Sequence, residues 1–96
     1  MNARVVSGMV PPDKLEEAIE LWRNTVALSV PQRKGFKNAW LLVDRRTGRV
    51  MSLGLWETEP DVQDTSQWNL EQIDKFTGLF TAPPTVEEHF EVAVQV

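Results

Sequence analysis

Phe36-Lys37-Asn38-Ala39-Trp40-Leu41-Leu42-Val43-Asp44, followed by Arg45-Arg46-Thr47-Gly48 and then Arg49-Val50-Met51-Ser52-Leu53-Gly54-Leu55-Trp56-Glu57-Thr58, decides how this chain folds. Two apolar runs flank a polar connection with a glycine, which is the signature of a β-hairpin. Gly48 supplies the positive φ that a short connection needs. With Arg46-Thr47-Gly48 as a three-residue loop and a glycine bulge, Arg45 lies opposite Arg49. Val43 then faces Met51, Leu41 faces Leu53, Ala39 faces Leu55 and Lys37 faces Glu57. The last pair joins opposite charges and favours this register by ~0.2–1 kcal/mol. On the other face Leu42 meets Ser52, Trp40 covers Gly54, and Asn38 meets Trp56.

So arranged, the hairpin is apolar on both sides. One face presents Ala39, Leu41, Val43, Met51, Leu53 and Leu55; the other presents Phe36, Trp40, Leu42, Val50 and Trp56, diluted by Asn38, Ser52 and Gly54. An antiparallel sheet with helices on one side alone should alternate apolar and polar along each strand. Helices cover only one of these faces, and the other exceeds the apolar patch a soluble monomer usually shows. A twofold mate laid sheet to sheet is the simplest cover, so a homodimer through the sheet face is expected. Termini and loops folded over the face are the alternative.

Working outward, Val5 to Val10 reads as a strand stopped by Pro11-Pro12. Asp13 offers an N-cap with Glu16 three residues on. Leu15, Ala18, Ile19, Trp22, Val26 and Ser29 then recur at helical spacing, with Glu16, Glu17 and Glu20 on the solvent side, up to about Val30. Beyond the hairpin, Thr58-Glu59-Pro60-Asp61 starts a helix. The polar run Gln63 to Gln67 interrupts it, and a second stretch carries Leu70, Ile73, Phe76 and Phe80 inward until Ala82-Pro83-Pro84. Val86 to Val96 is the last strand, with Phe90, Val92, Val94 and Val96 on one face. The order is β-α-β-β-α-β, an α+β fold with a four-stranded antiparallel sheet, in one domain over residues 1–96.

Composition narrows the chemistry. There is no cysteine and a single histidine, so neither a thiolate nucleophile nor a typical zinc site is available, and no metal is expected. The net charge of −4 argues against nucleic acid. The one basic cluster, Arg45-Arg46-Thr47-Gly48-Arg49, reads as a solvated turn. No apolar run approaches a membrane span and the N-terminal residues lack a signal-peptide core, so a cytoplasmic protein without membrane contact is expected. No Ser-His-Asp pattern or phosphate-binding glycine loop is present.

The segments Gly35 to Arg45, Thr47-Gly48-Arg49 and Leu53 to Glu59, together with Ala82-Pro83-Pro84-Thr85-Val86-Glu87-Glu88-His89-Phe90-Glu91-Val92, resemble the antibiotic biosynthesis monooxygenase-like family, a branch of the dimeric α+β barrel superfamily. The resemblance implies ferredoxin-like subunits paired sheet to sheet, with helices outside and a pocket between one sheet face and the helices. It implies cofactor-independent oxygenation of aromatic hydroquinone-type substrates in some members and haem degradation in others. Trp56 matches a tryptophan at the end of the third strand that commonly contributes to the pocket. The first-strand position where such members have an asparagine falls in Val5-Val6-Ser7, and the helix from Asn69 to Phe80 has no histidine to ligate haem iron.

The residues themselves suggest a pocket on the Asn38–Trp56 face. Trp40, Trp56, Phe36 and Leu42 would make apolar walls, Asn38 and Ser52 would offer hydrogen bonds, and Gly54 would leave space. The competing reading makes the tryptophans core and Asn38 a backbone cap. Trp22 reads as core; Trp68 is either a lid or a staple for the second helix. His89 is a candidate base, weighed against a surface histidine beside Glu87, Glu88 and Glu91. No catalytic residue is assigned. The aliphatic face is assigned to the dimer seam and the aromatic face to the ligand, with the reverse left open. Two functions follow: an oxygenase of an aromatic substrate without cofactor, or a non-catalytic dimeric module binding a small apolar or aromatic ligand. Haem handling comes third.

Overall fold

Turn and proline signals divide the chain into the predicted order of elements in a computed structural model that describes residues 1–96. Strand β1 (Asn2–Met9) leads through a 3-10 turn at Pro12–Lys14 into α1 (Leu15–Asn24) and α2 (Val26–Ser29). The hairpin follows as β2 (Phe36–Asp44) and β3 (Arg49–Trp56). Helices α3 (Glu59–Asp64) and α4 (Ser66–Asp74) then lead to β4 (Thr85–Glu91). The strands pair antiparallel in the order β2-β3-β1-β4, the ferredoxin-like arrangement.

The hairpin register differs by one residue from the sequence expectation. Asp44, not Arg45, pairs with Arg49; Val43 faces Val50, Leu42 faces Met51, Leu41 faces Ser52, Trp40 faces Leu53, and Ala39 faces Gly54. The cause is the Asp44 side chain. Its Oδ1 accepts from the Arg46 amide at 2.9 Å and the Thr47 amide at 3.4 Å, while Gly48 N–H donates to the Asp44 carbonyl at 2.8 Å. This closes a four-residue loop with Gly48 at φ +83°. A one-residue shift exchanges partners between faces. Leu41 and Val43 therefore join Val50, Ser52, Gly54 and Trp56 under the helices, whereas Trp40 and Leu42 turn outward with Met51 and Leu53. A bulge at Lys37 returns Phe36 opposite Trp56 and still leaves Lys37 Nζ 3.7 Å from a Glu57 carboxylate oxygen.

Three further expectations are corrected. Asp13 does not cap α1; the chain enters the helix through the proline turn, with no side-chain cap. Thr25 interrupts that helix, its hydroxyl donating to the Leu21 carbonyl at 2.6 Å. Thr58, in contrast, caps α3 by accepting from the Asp61 amide at 3.2 Å. Of the residues expected inward, Ile73, Phe76 and Phe80 do turn inward but Leu70 is half exposed, and α4 also buries Trp68, Asn69 and Gln72. Strand β4 stops at Glu91, and Val94 and Val96 are exposed, because no further ladder partner lies beside them on β1.

Apolar side chains between sheet and helices gather in two clusters. Val10, Leu15, Ala18 and Val50 form one, flanked by Ile19, Leu41, Val43, Leu79 and Phe80. Val30, Trp56, Val62 and Trp68 form the other, flanked by Val26, Phe36 and Ala39. The space between them is not filled.

Candidate functional site: a cleft between sheet and helices

Strand β1 presents Val6 and Gly8 on the same face as Ser52 and Val50, their ladder partners on β3. Helix α1 brings Trp22 over that face, and the chain after α4 brings Phe76 and Phe80. Together with Leu41, Val26 and Ile73 these side chains wall a half-open cleft of about 50 Å³. Gly8 is needed here because a Cβ at that position would press into the Phe80 ring. The polar groups in the lining are Ser52, Asn69 and Gln72, and no lining residue is ionisable. Trp22 Nε1 donates to Ser52 Oγ at 3.0 Å, which fixes the indole plane against the sheet.

Deeper along the sheet the cleft adjoins a smaller chamber of about 20 Å³. The two share Val6, Val26, Ser52 and Asn69. The chamber adds Arg4, Gly54, Trp56 and Trp68. Arg4 faces Gly54 across the ladder and is 2% exposed. Its Nη2 donates to the Val62 carbonyl at 2.7 Å, and its Nε lies 3.5 Å from Glu88 Oε1. Glu88 reaches it because the β1–β4 register shifts between Ala3 and Val5, and its other oxygen accepts from the Ser66 hydroxyl at 2.6 Å. Burial lowers the Arg4 pKa from its ordinary value, and the Glu88 carboxylate opposes the shift. The guanidinium carbon also lies 5.1 Å from the Trp56 ring centroid, a cation–π contact.

Ser52, Gly54, Trp56 and Trp68 are thus brought together around the chamber. The Trp56 indole covers Gly54, the role the sequence assigns to Trp40, and it meets Phe36 edge to face at 6.1 Å between centroids. Trp68 is buried in the second cluster, with the Arg33 guanidinium 5.1 Å from its ring centroid. Asn38 and Trp40 lie on the outer face, exposed, and meet neither space. His89 is 82% exposed, with Nδ1 3.9 Å from a Glu59 carboxylate oxygen, and it lines neither space. No cluster of three or more potential metal-ligating side chains is present, and no helix is long and apolar enough to cross a membrane.

The sequence reading passed over Arg4, Trp22 as a lining residue, Asn69 and Gln72. A signal for Arg4 was available: a period of two from Val10 through Gly8 and Val6 reaches it. Asn69 likewise falls on one helical stripe with Ile73, Phe76 and Phe80.

Sheet order, helix placement and a cleft between the two define the ferredoxin-like α+β fold of the antibiotic biosynthesis monooxygenase-like proteins. A monooxygenase from Streptomyces coelicolor, determined in complex with nanaomycin D, superposes with a TM-score of 0.77 at 19% identity, over 99% of this chain and 91% of that one. A protein named antibiotic biosynthesis monooxygenase superposes with a TM-score of 0.73 at 15% identity, over 96% of this chain and 99% of that one. A Nitrosomonas europaea protein of unknown function gives 0.77 at 13% identity, over 99% and 92% of the two chains. No family model and no curated protein matches the sequence.

Proposed function

We propose that this protein binds a small aromatic molecule in the cleft between sheet and helices and oxygenates it without a metal or tightly held cofactor. The observation that carries the reading is the cleft itself: apolar walls from Val6, Leu41, Val50, Phe76 and Phe80, with an indole set in place by Ser52. Apolar walls with a few convergent polar groups suit a flat, weakly polar ligand. The fold shared with a monooxygenase that was captured with nanaomycin D supports the same direction. The test is oxygen uptake, with product analysis, across a panel of hydroquinones and polyphenols. Uptake that saturates with one of them and stops when Ala18, in the cleft wall, is enlarged to Phe supports the reading; no uptake across the panel sinks it.

One observation favours a second reading, a binding module without turnover. The cleft lining contains no acid or base that could take a proton from a substrate. Saturable quenching of tryptophan fluorescence by ligands that are never converted would decide for it. Haem handling is not favoured, since His89 stands outside the cleft. Either reading includes a homodimer through the outer sheet face, where Met9, Trp40, Leu42 and Phe90 are 41–51% exposed. A cytoplasmic location belongs to the same proposal.

A further inference from the structure

The cleft is smaller than the ring of the ligand proposed for it. It encloses about 50 Å³, whereas a cavity that takes up benzene measures roughly 150 Å³. A side chain in the wall must therefore give way when an aromatic molecule enters. Val6, Val50 and Ser52 are fixed by the β1–β3 ladder. Opposite the sheet, three aromatic side chains close the space: Trp22, Phe76 and Phe80. Trp22 is held by its bond to Ser52, and Phe76 is buried. Phe80 has neither restraint. It is only half-buried, and its ring meets that of Phe76 at 6.1 Å between centroids.

The seat of that ring is a second observation. A Cβ at Gly8 would lie 2.5 Å from Phe80 Cε1 and 2.8 Å from Cδ1, so the ring edge rests on bare backbone of β1. Glycine within a strand weakens it and marks a place where another group comes close to the main chain. Gly8 lines the cleft, and its seat therefore opens into the space a ligand would use. The backbone around Phe80 is anchored: its amide donates to the Phe76 carbonyl at 3.3 Å, and the Thr81 amide to the Met9 carbonyl at 2.9 Å. Rotation about the side-chain torsions can carry the ring outward without unfolding the segment, and the neighbouring Gly78, Thr81 and Ala82 are exposed.

We infer that Phe80 is a plug: the aromatic ring of the ligand displaces it and takes its seat over Gly8, while the Phe80 ring swings to the cleft mouth. This rests on the cleft being the ligand site and adds where the ring lies and which residue admits it. In the free protein Phe80 makes the apolar contacts that the ligand makes in the bound one, so the core is never left with a ring-sized void. The plug also sets the affinity, which is reduced by the fraction of molecules whose ring already stands outside.

The test measures 2-naphthol binding by calorimetry to the wild-type protein and to Phe80→Ala, alone and combined with Gly8→Ala or with Ala18→Phe. Phe80→Ala should bind about tenfold tighter, because the opening no longer has to be made. Adding Gly8→Ala places a methyl group in the vacated seat, where it no longer meets the Phe80 ring, and should cancel that gain. Should Phe80→Ala fail to fold, Phe80→Leu should tighten binding several-fold. Equal or weaker binding by the folded Phe80 variant makes the ring an ordinary wall, which overturns the plug and leaves the cleft reading standing. A gain that Gly8→Ala does not reverse overturns the seat over Gly8. No binding by any of the proteins, or binding that survives Ala18→Phe, overturns the cleft reading and the plug together.

Discussion

Gly48 holds φ +83° with the Val10 carbonyl lying where a Cβ would go, while Gly78 has open space around its own Cβ position. Alanine at 48 must adopt left-handed backbone, at about 1–2 kcal/mol, and also push away the strand end whose amide donates to the Gly48 carbonyl at 3.0 Å. Gly48→Ala should therefore lower the unfolding free energy by about 2 kcal/mol or more, and Gly78→Ala by no more than about 0.5 kcal/mol. Urea denaturation of the two variants checks this; equal midpoints would contradict it. Ser52→Ala leaves the Trp22 indole N–H without its acceptor in a half-buried position. A loss of about 1 kcal/mol is expected, with a changed tryptophan emission spectrum; unchanged emission and stability would show that the bond does not fix the indole. Single residues were also where the site was hardest to read from sequence. Ser52, Gly54, Trp56 and Trp68 could be singled out because small or aromatic residues in an apolar strand or at a helix entry ask for an explanation. Arg4 could not be found that way, because a charged residue near a chain end reads as solvated until its strand is extended back to Asn2.

Between elements, the hairpin shows how one carboxylate selects a register. Asp44 accepts from two loop amides, so Asp44→Ala leaves both unpaired while the strands are otherwise unchanged. The expected effect is about 1 kcal/mol of destabilisation, with hydrogen exchange quickened at Arg46 and Thr47 before the β3 amides. Exchange quickened evenly along both strands would mean that the turn does not hold the register. The same residues explain how far the fold was legible. Hydrophobic periodicity with Pro11-Pro12, Pro31 and Pro83-Pro84 marked every main element, since such signals act within a few residues. Register was not legible, because glycine at 48 serves a three-residue and a four-residue loop alike. The Lys37–Glu57 pair did not discriminate either, since the Lys37 bulge brings those charges together in the observed register too. From that one-residue difference the faces followed wrongly. Asn38 and Trp40 were placed under the helices, and Leu41 and Val43 outside.

At the scale of the whole molecule, only 18 of 96 residues are buried, and the cleft divides the apolar core into two clusters. A chain of this length has little stability to spare for an unfilled centre and an apolar outer sheet face together. The outer face carries Met9 on β1, Trp40 and Leu42 on β2 and Phe90 on β4, so the exposed apolar side chains span the sheet from edge to edge. A twofold mate on this face would bury them and leave the cleft, on the opposite face, open in both copies. The proposed dimer therefore predicts a mass of two chains by light scattering at micromolar concentration, and a melting temperature that rises with protein concentration. Trp40→Glu combined with Leu42→Lys should convert it to a less stable monomer, since both charges would be buried at the seam. Neither residue touches the cleft or the chamber, so any monomer that stays folded should still bind the cleft ligand. A wild-type protein that is monomeric, unfolds in one cooperative transition and melts independently of concentration would show that the outer face needs no partner. In that case the two core clusters alone would be enough to hold the sheet.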